Sequence, residues 1–264
     1  MKLLKLFTKI KKVPVFIKTE SNGILKNRVA LITGGGSGIG FAIAKLFSLE
    51  GCRVIIAGRN EEKLRVAVSQ IPNSTYVVMD VSDIATIKEK IKTLYENEQV
   101  DILVNAAGIH YSEKFLEITE KEFDTIMGTN LKGTFFISQE VALHMIKKGI
   151  HGNILMVSSS SAKRPAWGPY HLSKWMVDGM TKGFADKLIG HDIVVNGIAP
   201  GQTATSMLDA DLSNINNDSV LLGRFLLPEE VASTALFLVS NYGRNVVGDV
   251  VYVSGGSGIV DSHR

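Results

Sequence analysis

Of the six tyrosines in the 264-residue chain, only Tyr170 has a lysine four positions later, Lys174. Four residues is about one helical turn, so on a helix the two side chains share a face. A phenol with its ordinary pKa of about 10 is a weak acid–base catalyst at neutral pH. An ammonium beside it favours the phenolate and moves that pKa toward the working range. The pair follows a run of hydroxyls, Ser158-Ser159-Ser160-Ser161, at the end of an apolar stretch. A Tyr–Lys pair also arises by chance, and serines also close polar strand ends, so the context carries the weight. Phenol, cation and hydroxyl together suit one kind of chemistry, the movement of a proton to or from an oxygen that a second group polarises.

A proton-moving site can serve a bound cofactor. A candidate cradle for one lies upstream, in Thr33-Gly34-Gly35-Gly36-Ser37-Gly38-Ile39-Gly40. It follows a β-branched run and opens a helical pattern. Glycines let the backbone turn sharply and approach a pyrophosphate, and a helix N-terminus offers free N–H groups. The second strand ends in Ala57-Gly58-Arg59-Asn60. An NAD-selective site usually has an acid here for the ribose 2′-hydroxyl. Gly58 stands in its place, and Arg59 offers a planar donor fork for a 2′-phosphate. The expectation is therefore NADP(H), with NAD(H) second.

From Arg28 onward short apolar runs alternate with longer amphipathic ones. The strand candidates are 29–33, 53–57, 75–79, 101–104, 153–157, 193–198 and 250–253. Helical patterns cover 40–50, 84–96, 119–147, 173–189 and 229–240. Continuous apolar strands separated by helices predict a parallel sheet covered on both faces. With right-handed crossovers this is a single α/β Rossmann-fold domain, a doubly wound seven-stranded sheet. Residues 206–227 break the pattern with Asn214, Asn216, Asn217 and Asp218, which suggests a lid.

The net charge of +3 hides an asymmetry. Seven lysines and one glutamate stand in residues 1–26, leaving 22 basic and 25 acidic residues in 27–264. A mildly acidic body argues against a nucleic-acid enzyme. The chain thus divides into a basic N-terminal extension, 1–26, and a catalytic domain, 27–264. In the extension Leu3, Leu4, Leu6, Phe7 and Ile10 share a helical face. An extension packed on the body or on a neighbouring subunit, or simply mobile, is the preferred reading, ahead of a helix lying on an anionic membrane. Lysines interrupt any signal-peptide core, no run is long enough to span a bilayer, and the single Cys52 permits no internal disulfide. A cytoplasmic setting is expected. No histidine pair has metal-ligand spacing; His144 and His151 read as surface residues, and no metal is called for.

In order along the chain, Thr33-Gly34-x-x-x-Gly38-x-Gly40, Asn105-Ala106-Ala107-Gly108, Asn130, the serine run, Tyr170-x-x-x-Lys174 and Pro200-Gly201 resemble the short-chain dehydrogenase/reductase superfamily. Gly223-Arg224-Phe225 before Pro228-Glu229-Glu230, and Ser254-Gly255-Gly256, are similar to its 3-oxoacyl-carrier-protein-reductase-like branch. The resemblance covers about residues 27–258. It implies hydride transfer between a nicotinamide coenzyme and a carbonyl or secondary alcohol. Tyr170 would be the proton donor and acceptor, and Lys174 would lower its pKa and hold the nicotinamide ribose. Asn130 would anchor a proton-relaying water, and a serine would polarise the carbonyl. Ser159 is chosen because the strand aligns it, although its eleven-residue distance from Tyr170 is shorter than the family's usual spacing; Ser158 and Ser160 stay open. Besides Tyr170 and Lys174, the coenzyme would meet Thr33, Gly34, Gly36, Ser37, Gly38, Ile39, Gly40, Arg59, Asp80, Val81, Asn105, Ala106, Ala107, Gly108, Pro200, Gly201, Thr203 and Thr205. The substrate would meet His110, Trp167 and Gln202, with Tyr111 and the 206–227 lid; Arg224 or Lys163 could receive an acyl-carrier phosphopantetheine. The resemblance also implies a homotetramer or dimer. A dinucleotide sensor without turnover and a membrane-associated scaffold are the rival readings; neither needs the proton donor that Tyr170 offers.

Overall fold

The computed structural model describes residues 22–111, 114–208, 215–217 and 220–260. Among these, seven strands form one parallel sheet in the order β3-β2-β1-β4-β5-β6-β7. They are β1 Val29–Thr33, β2 Arg53–Gly58, β3 Ser74–Val78, β4 Ile102–Asn105, β5 Asn153–Val157, β6 Val194–Pro200 and β7 Val250–Val253. The helices are α1 Gly38–Leu49, α2 Glu61–Val68, α3 Ile84–Asn97, α4 Glu120–Met127, α5 Thr134–Lys148, α6 Pro169–Leu188 and α7 Pro228–Val239.

The unbroken apolar strands explain the two layers. Side chains alternate across a strand, so each run feeds both faces. Ala30, Ile32, Val54 and Ile56 pack with Ile43 and Phe47 of α1 and Val231 and Ala235 of α7. Their neighbours Leu31, Ile55 and Leu103 pack with Ile87 and Ile91 of α3, Val141 of α5 and Val177 of α6. The strand order reverses between β1 and β4, where Thr33 pairs with Asn105. Such a switch point leaves a crevice beyond the C-terminal strand ends, where ligands bind in this architecture.

Three elements differ from the sequence expectation. The continuous pattern 119–147 is broken: α4 and α5 are joined by a π-helical segment, Gly128–Gly133. Hydrophobic period cannot show this, because the cause is tertiary. A Cβ on Gly133 would come 2.3 Å from the Val81 carbonyl oxygen, so the loop after β3 presses on the segment. Helix α2 has no counterpart in the periodic pattern because it has only eight residues and buries only Leu64 and Ala67; Asn60 caps it by accepting from Lys63 N at 2.9 Å. Helix α6 begins at Pro169, ahead of its apolar pattern, since proline suits a first helical position. That start carries Tyr170 into the helix.

Residues 22–26 lie against the body: Leu25 is buried, and Asn22 N and Ile24 N each donate to the Glu50 carboxylate at 3.2 Å. The amphipathic face expected at 3–10 lies outside the described residues. His144 is no simple surface residue; it is half-buried and stacks on Tyr95 with ring centroids 4.7 Å apart. Among the described residues no helix is long and apolar enough to cross a membrane.

Candidate active site

Three observations fit the turn after β1 to a dinucleotide pyrophosphate. Gly34 and Gly38 have φ of +68° and +54°, a region that excludes most side chains. A Cβ on Gly40 would come 2.4 Å from Gly34 O, and one on Gly34 would come 2.8 Å from Ala106 O. Ser37 caps α1 without a side-chain hydrogen bond, and the first turn holds no acid. The first N–H groups of α1 therefore meet no competing side-chain anion, and they and the helix dipole are open to a phosphate. By contrast α3 is capped by Asp83, whose carboxylate accepts from Ala85 N and Thr86 N.

Around this turn the other expected coenzyme residues divide into two groups. Ile39, Pro200, Gly201, Thr203 and Thr205 line the same cavity, and a Cβ on Gly38 would meet the Thr205 side chain at 3.3 Å. Thr33 and Asn105 are buried and act inside the protein. Thr33 Oγ1 accepts from Ala107 N at 3.1 Å, which fixes the Asn105–Gly108 loop. Asn105 Nδ2 donates to Ser138 Oγ at 2.9 Å, tying β4 to α5. Asp80 accepts from Ser82 N at 2.9 Å and lies 3.8 Å from Arg59, which is 60% exposed at the end of β2. Val81 is buried against Gly133.

Tyr170 and Lys174 occupy one face of α6 and line a cavity of about 430 Å³ with Ser159, His110 and Gln202. Lys174 Nζ donates to Val157 O at 2.9 Å and lies 5.7 Å from the Tyr170 ring centre. Burial lowers the Lys174 ammonium from 10.5 to about 8, opposed by the charge of Asp178 one turn on. His110 meets the Tyr170 ring edge-on at 4.7 Å. Asn130, in the π-helical segment, spends its side chain on Ile109: Oδ1 accepts from Ile109 N at 2.8 Å and Nδ2 donates to Ile109 O at 2.9 Å. Nδ2 also donates to Ser173 Oγ at 3.3 Å. Asn130 thereby clamps the loop after β4, which holds His110, to the helix holding Lys174. The Gly108 Cα faces both Asn130 Oδ1 and Lys174 Nζ; a Cβ there would lie 3.5 and 3.8 Å away.

Adjacent serines have different duties. Ser158 Oγ is buried and donates to the Asp178 carboxylate and to Lys174 O. Ser159 accepts from Ser161 N at 3.1 Å, capping the short helix Ser160–Lys163, and its hydroxyl proton is not used in that contact. Asp178 was not singled out from sequence. Its signal is the four-residue spacing from Lys174, which continues the Tyr170 face; it also accepts from the Tyr252 hydroxyl of β7.

The proposed substrate wall needs correction in part. Among the described residues Trp167 is not a wall of this cavity; it packs at a tilt against His171, which is, with ring centroids 4.6 Å apart. Tyr111 lines a separate depression with Glu117 and Pro169. Arg224 is 7% exposed and makes a two-pronged pair with Glu230 at 2.8 and 2.7 Å, so a carrier phosphate cannot reach it. Lys163 sits over the Tyr252 ring at 5.1 Å. Met207 and Phe225 of the irregular region reach the cavity; residues 209–214, 218 and 219 lie outside the described residues. Among the described residues no cluster of three or more His, Cys, Asp or Glu side chains could hold a metal.

The family described as short chain dehydrogenase matches residues 28–216. The 3-oxoacyl-[acyl-carrier-protein] reductase FabG of Thermotoga maritima is 38% identical over 243 residues, 88% of this chain and 98% of that protein. The structure of a 3-ketoacyl-(acyl-carrier-protein) reductase from Brucella melitensis complexed with NADH superposes with a TM-score of 0.82 at 31% identity, covering 89% of this chain and 99% of that one. A protein described as an NAD(P)-dependent gluconate 5-dehydrogenase from Beutenbergia cavernae, with bound NADP, gives 0.79 at 29%, covering 88% and 97%. With the cradle, the Tyr170–Lys174 face and these likenesses together, the chain belongs to the short-chain dehydrogenase/reductase family, in its 3-oxoacyl-carrier-protein-reductase-like branch, and is an oxidoreductase.

Proposed function

We propose that the protein interconverts a carbonyl and a secondary alcohol with NADP(H), and that Tyr170 moves the proton. The observation that carries this is one cavity lined by Tyr170, Lys174 and Ser159 on one side and by Ile39, Pro200, Gly201 and Thr205 on the other. When bound, the nicotinamide coenzyme supplies or accepts the hydride. Tyr170 gives its proton to the carbonyl oxygen in reduction and takes the hydroxyl proton in oxidation. The Lys174 ammonium favours the phenolate, and the Ser159 hydroxyl donates to the developing oxyanion. Asn130 acts as a positioning residue through Ile109 and Ser173. Arg59 favours NADP(H), since no acid ends β2. The names of the relatives offer 3-oxoacyl thioesters and sugar acids as substrates.

A homotetramer or dimer is supported by exposed apolar side chains on two helices, Leu143 and Ile146 of α5 and Trp175 and Met176 of α6. A cytoplasmic setting rests on the sequence alone. A sensor without turnover has no use for the Tyr170–Lys174 geometry. The test is a screen of ketones and alcohols with both coenzymes, in wild type and Arg59→Ala. Turnover preferring NADPH, with the preference lost in Arg59→Ala, is expected; NADPH binding without turnover over the whole panel overturns the reading.

A further inference from the structure

The active cavity holds a second cation, Arg164, that proton and hydride transfer leave unused. It ends the short helix Ser160–Lys163 that Ser159 caps. The residue is fixed from two sides: its guanidinium donates to Ser257 Oγ at 2.6 Å, and its carbonyl accepts from Trp175 Nε1 at 2.9 Å. Ser257 is buried in the turn after β7, and that turn is built against the same helix. Gly258, at φ +78°, approaches so closely that a Cβ would come 2.7 Å from Ser160 O. Two segments far apart in sequence thus converge to hold one arginine at the cavity wall.

That guanidinium has no carboxylate partner among the described residues, whereas Arg224 is neutralised by Glu230. None of the described residues lining the cavity is Asp or Glu, and Lys174 adds a second positive charge. Guanidinium has five N–H donors and pairs best with a planar acid in a two-pronged contact. A cleft of one sign concentrates substrates of the other. Resting on the oxidoreductase reading, we infer that the substrate is a short-chain anionic carbonyl or hydroxy compound, an oxo- or hydroxycarboxylate, whose acid group binds Arg164 while its reacting oxygen meets Tyr170 and Ser159. A carrier-bound thioester offers an anion too, in its phosphate. Ser159 and Arg164 bracket the four-residue helix Ser160–Lys163, about 8 Å long at the 3₁₀ rise of about 2 Å per residue, and both line one cavity. The phosphate of a pantetheine arm lies too many bonds from its carbonyl to fill so short a span, which favours the small acid.

The experiment compares oxo- and hydroxycarboxylates of short chain length with their methyl esters and with a 3-oxoacyl thioester on acyl carrier protein, in wild type, Arg164→Ala and Arg164→Lys. NADPH affinity and Tm report whether each variant is folded. Expected is a kcat/KM for acids at least about tenfold above the esters, with Arg164→Ala raising KM for acids about tenfold or more and leaving the esters nearly unchanged. Arg164→Lys recovers part of the loss. Esters equal to acids, or an equal loss for both in Arg164→Ala, overturn the anion site while leaving the oxidoreductase reading intact. A carrier thioester preferred over the acids, with the same Arg164 dependence, also overturns it and assigns the cation to the carrier phosphate. No turnover of any series overturns the anion site, while turnover elsewhere in the panel of ketones and alcohols keeps the oxidoreductase reading.

Discussion

The turn after β1 and the segment after β5 face the same crevice, yet they work in opposite ways. The first acts through its main chain. Gly34, Gly38 and Gly40 contribute by what they lack, and Ser37 leaves the α1 N-terminus without a side-chain cap. The second offers side chains, Ser159, Tyr170 and Lys174, whose neighbours Ser158 and Ser173 are tied to Asp178 and Asn130. A backbone site is broken by adding atoms, and a side-chain site by removing them. The contrast shows why an unsatisfied helix end can be a working part, whereas the buried groups around Lys174 must nearly all be satisfied.

Removing one oxygen from the side-chain site has the largest expected effect. Tyr170→Phe lowers kcat by about 10²–10⁴-fold, the usual worth of a placed acid–base group, while NADPH affinity stays near wild type. Stopped-flow rates and coenzyme fluorescence titration check it; unharmed turnover breaks the contrast. Adding atoms to the backbone site should do the reverse. Gly40→Val forces a Cβ into the Gly34 carbonyl and should weaken NADPH binding by about 100-fold or more, with a stability loss of about 2–4 kcal/mol. Calorimetry reads both.

The two serines sharpen the comparison within one segment. Ser159→Ala should lower kcat by about 10²-fold with little change in Tm, as loss of one oxyanion donor does. Ser158→Ala leaves Asp178 short of a donor, and its main effect should be on stability, about 1–2 kcal/mol or a Tm lower by about 2–4 °C. Full activity in Ser159→Ala reverses the assignment.

A pH dependence of stability, read without turnover, completes the comparison. The Lys174 ammonium titrates at about 8 in the fold and at 10.5 in the unfolded reference. Below about pH 8 both states hold the proton and the burial cost is present in full. As pH rises from about 8 to 10.5, the unfolded chain binds more protons than the fold, so stability rises with pH relative to Lys174→Met. Urea midpoints of both proteins across that window check the sign. Asp178 raises the Lys174 value, so Asp178→Asn should move the window to lower pH.

Much of this was legible beforehand for a local reason. Strands buried on both faces must be continuously apolar, so all seven are legible in the sequence, with β1, β5 and β7 at their observed limits. The glycine turn and the Tyr170–Lys174 spacing are also local patterns. What escaped was set by distant contacts. The break between α4 and α5 answers to Val81 across the fold, and Trp167, polar-tipped and close to Tyr170 in sequence, reaches the cavity only through His171.

The sequence by itself determined the layered fold, the glycine turn after β1 and the one-turn spacing of Tyr170 and Lys174, because each depends on residue types at short spacing. Only the tertiary structure decided that Ser158 is spent on Asp178, that Arg224 is neutralised by Glu230, and that Arg164, at the cavity wall, is held by Ser257. A hydroxyl or a guanidinium has no fixed function of its own; its availability depends on the partner that folding brings beside it, and those partners often lie far away along the chain.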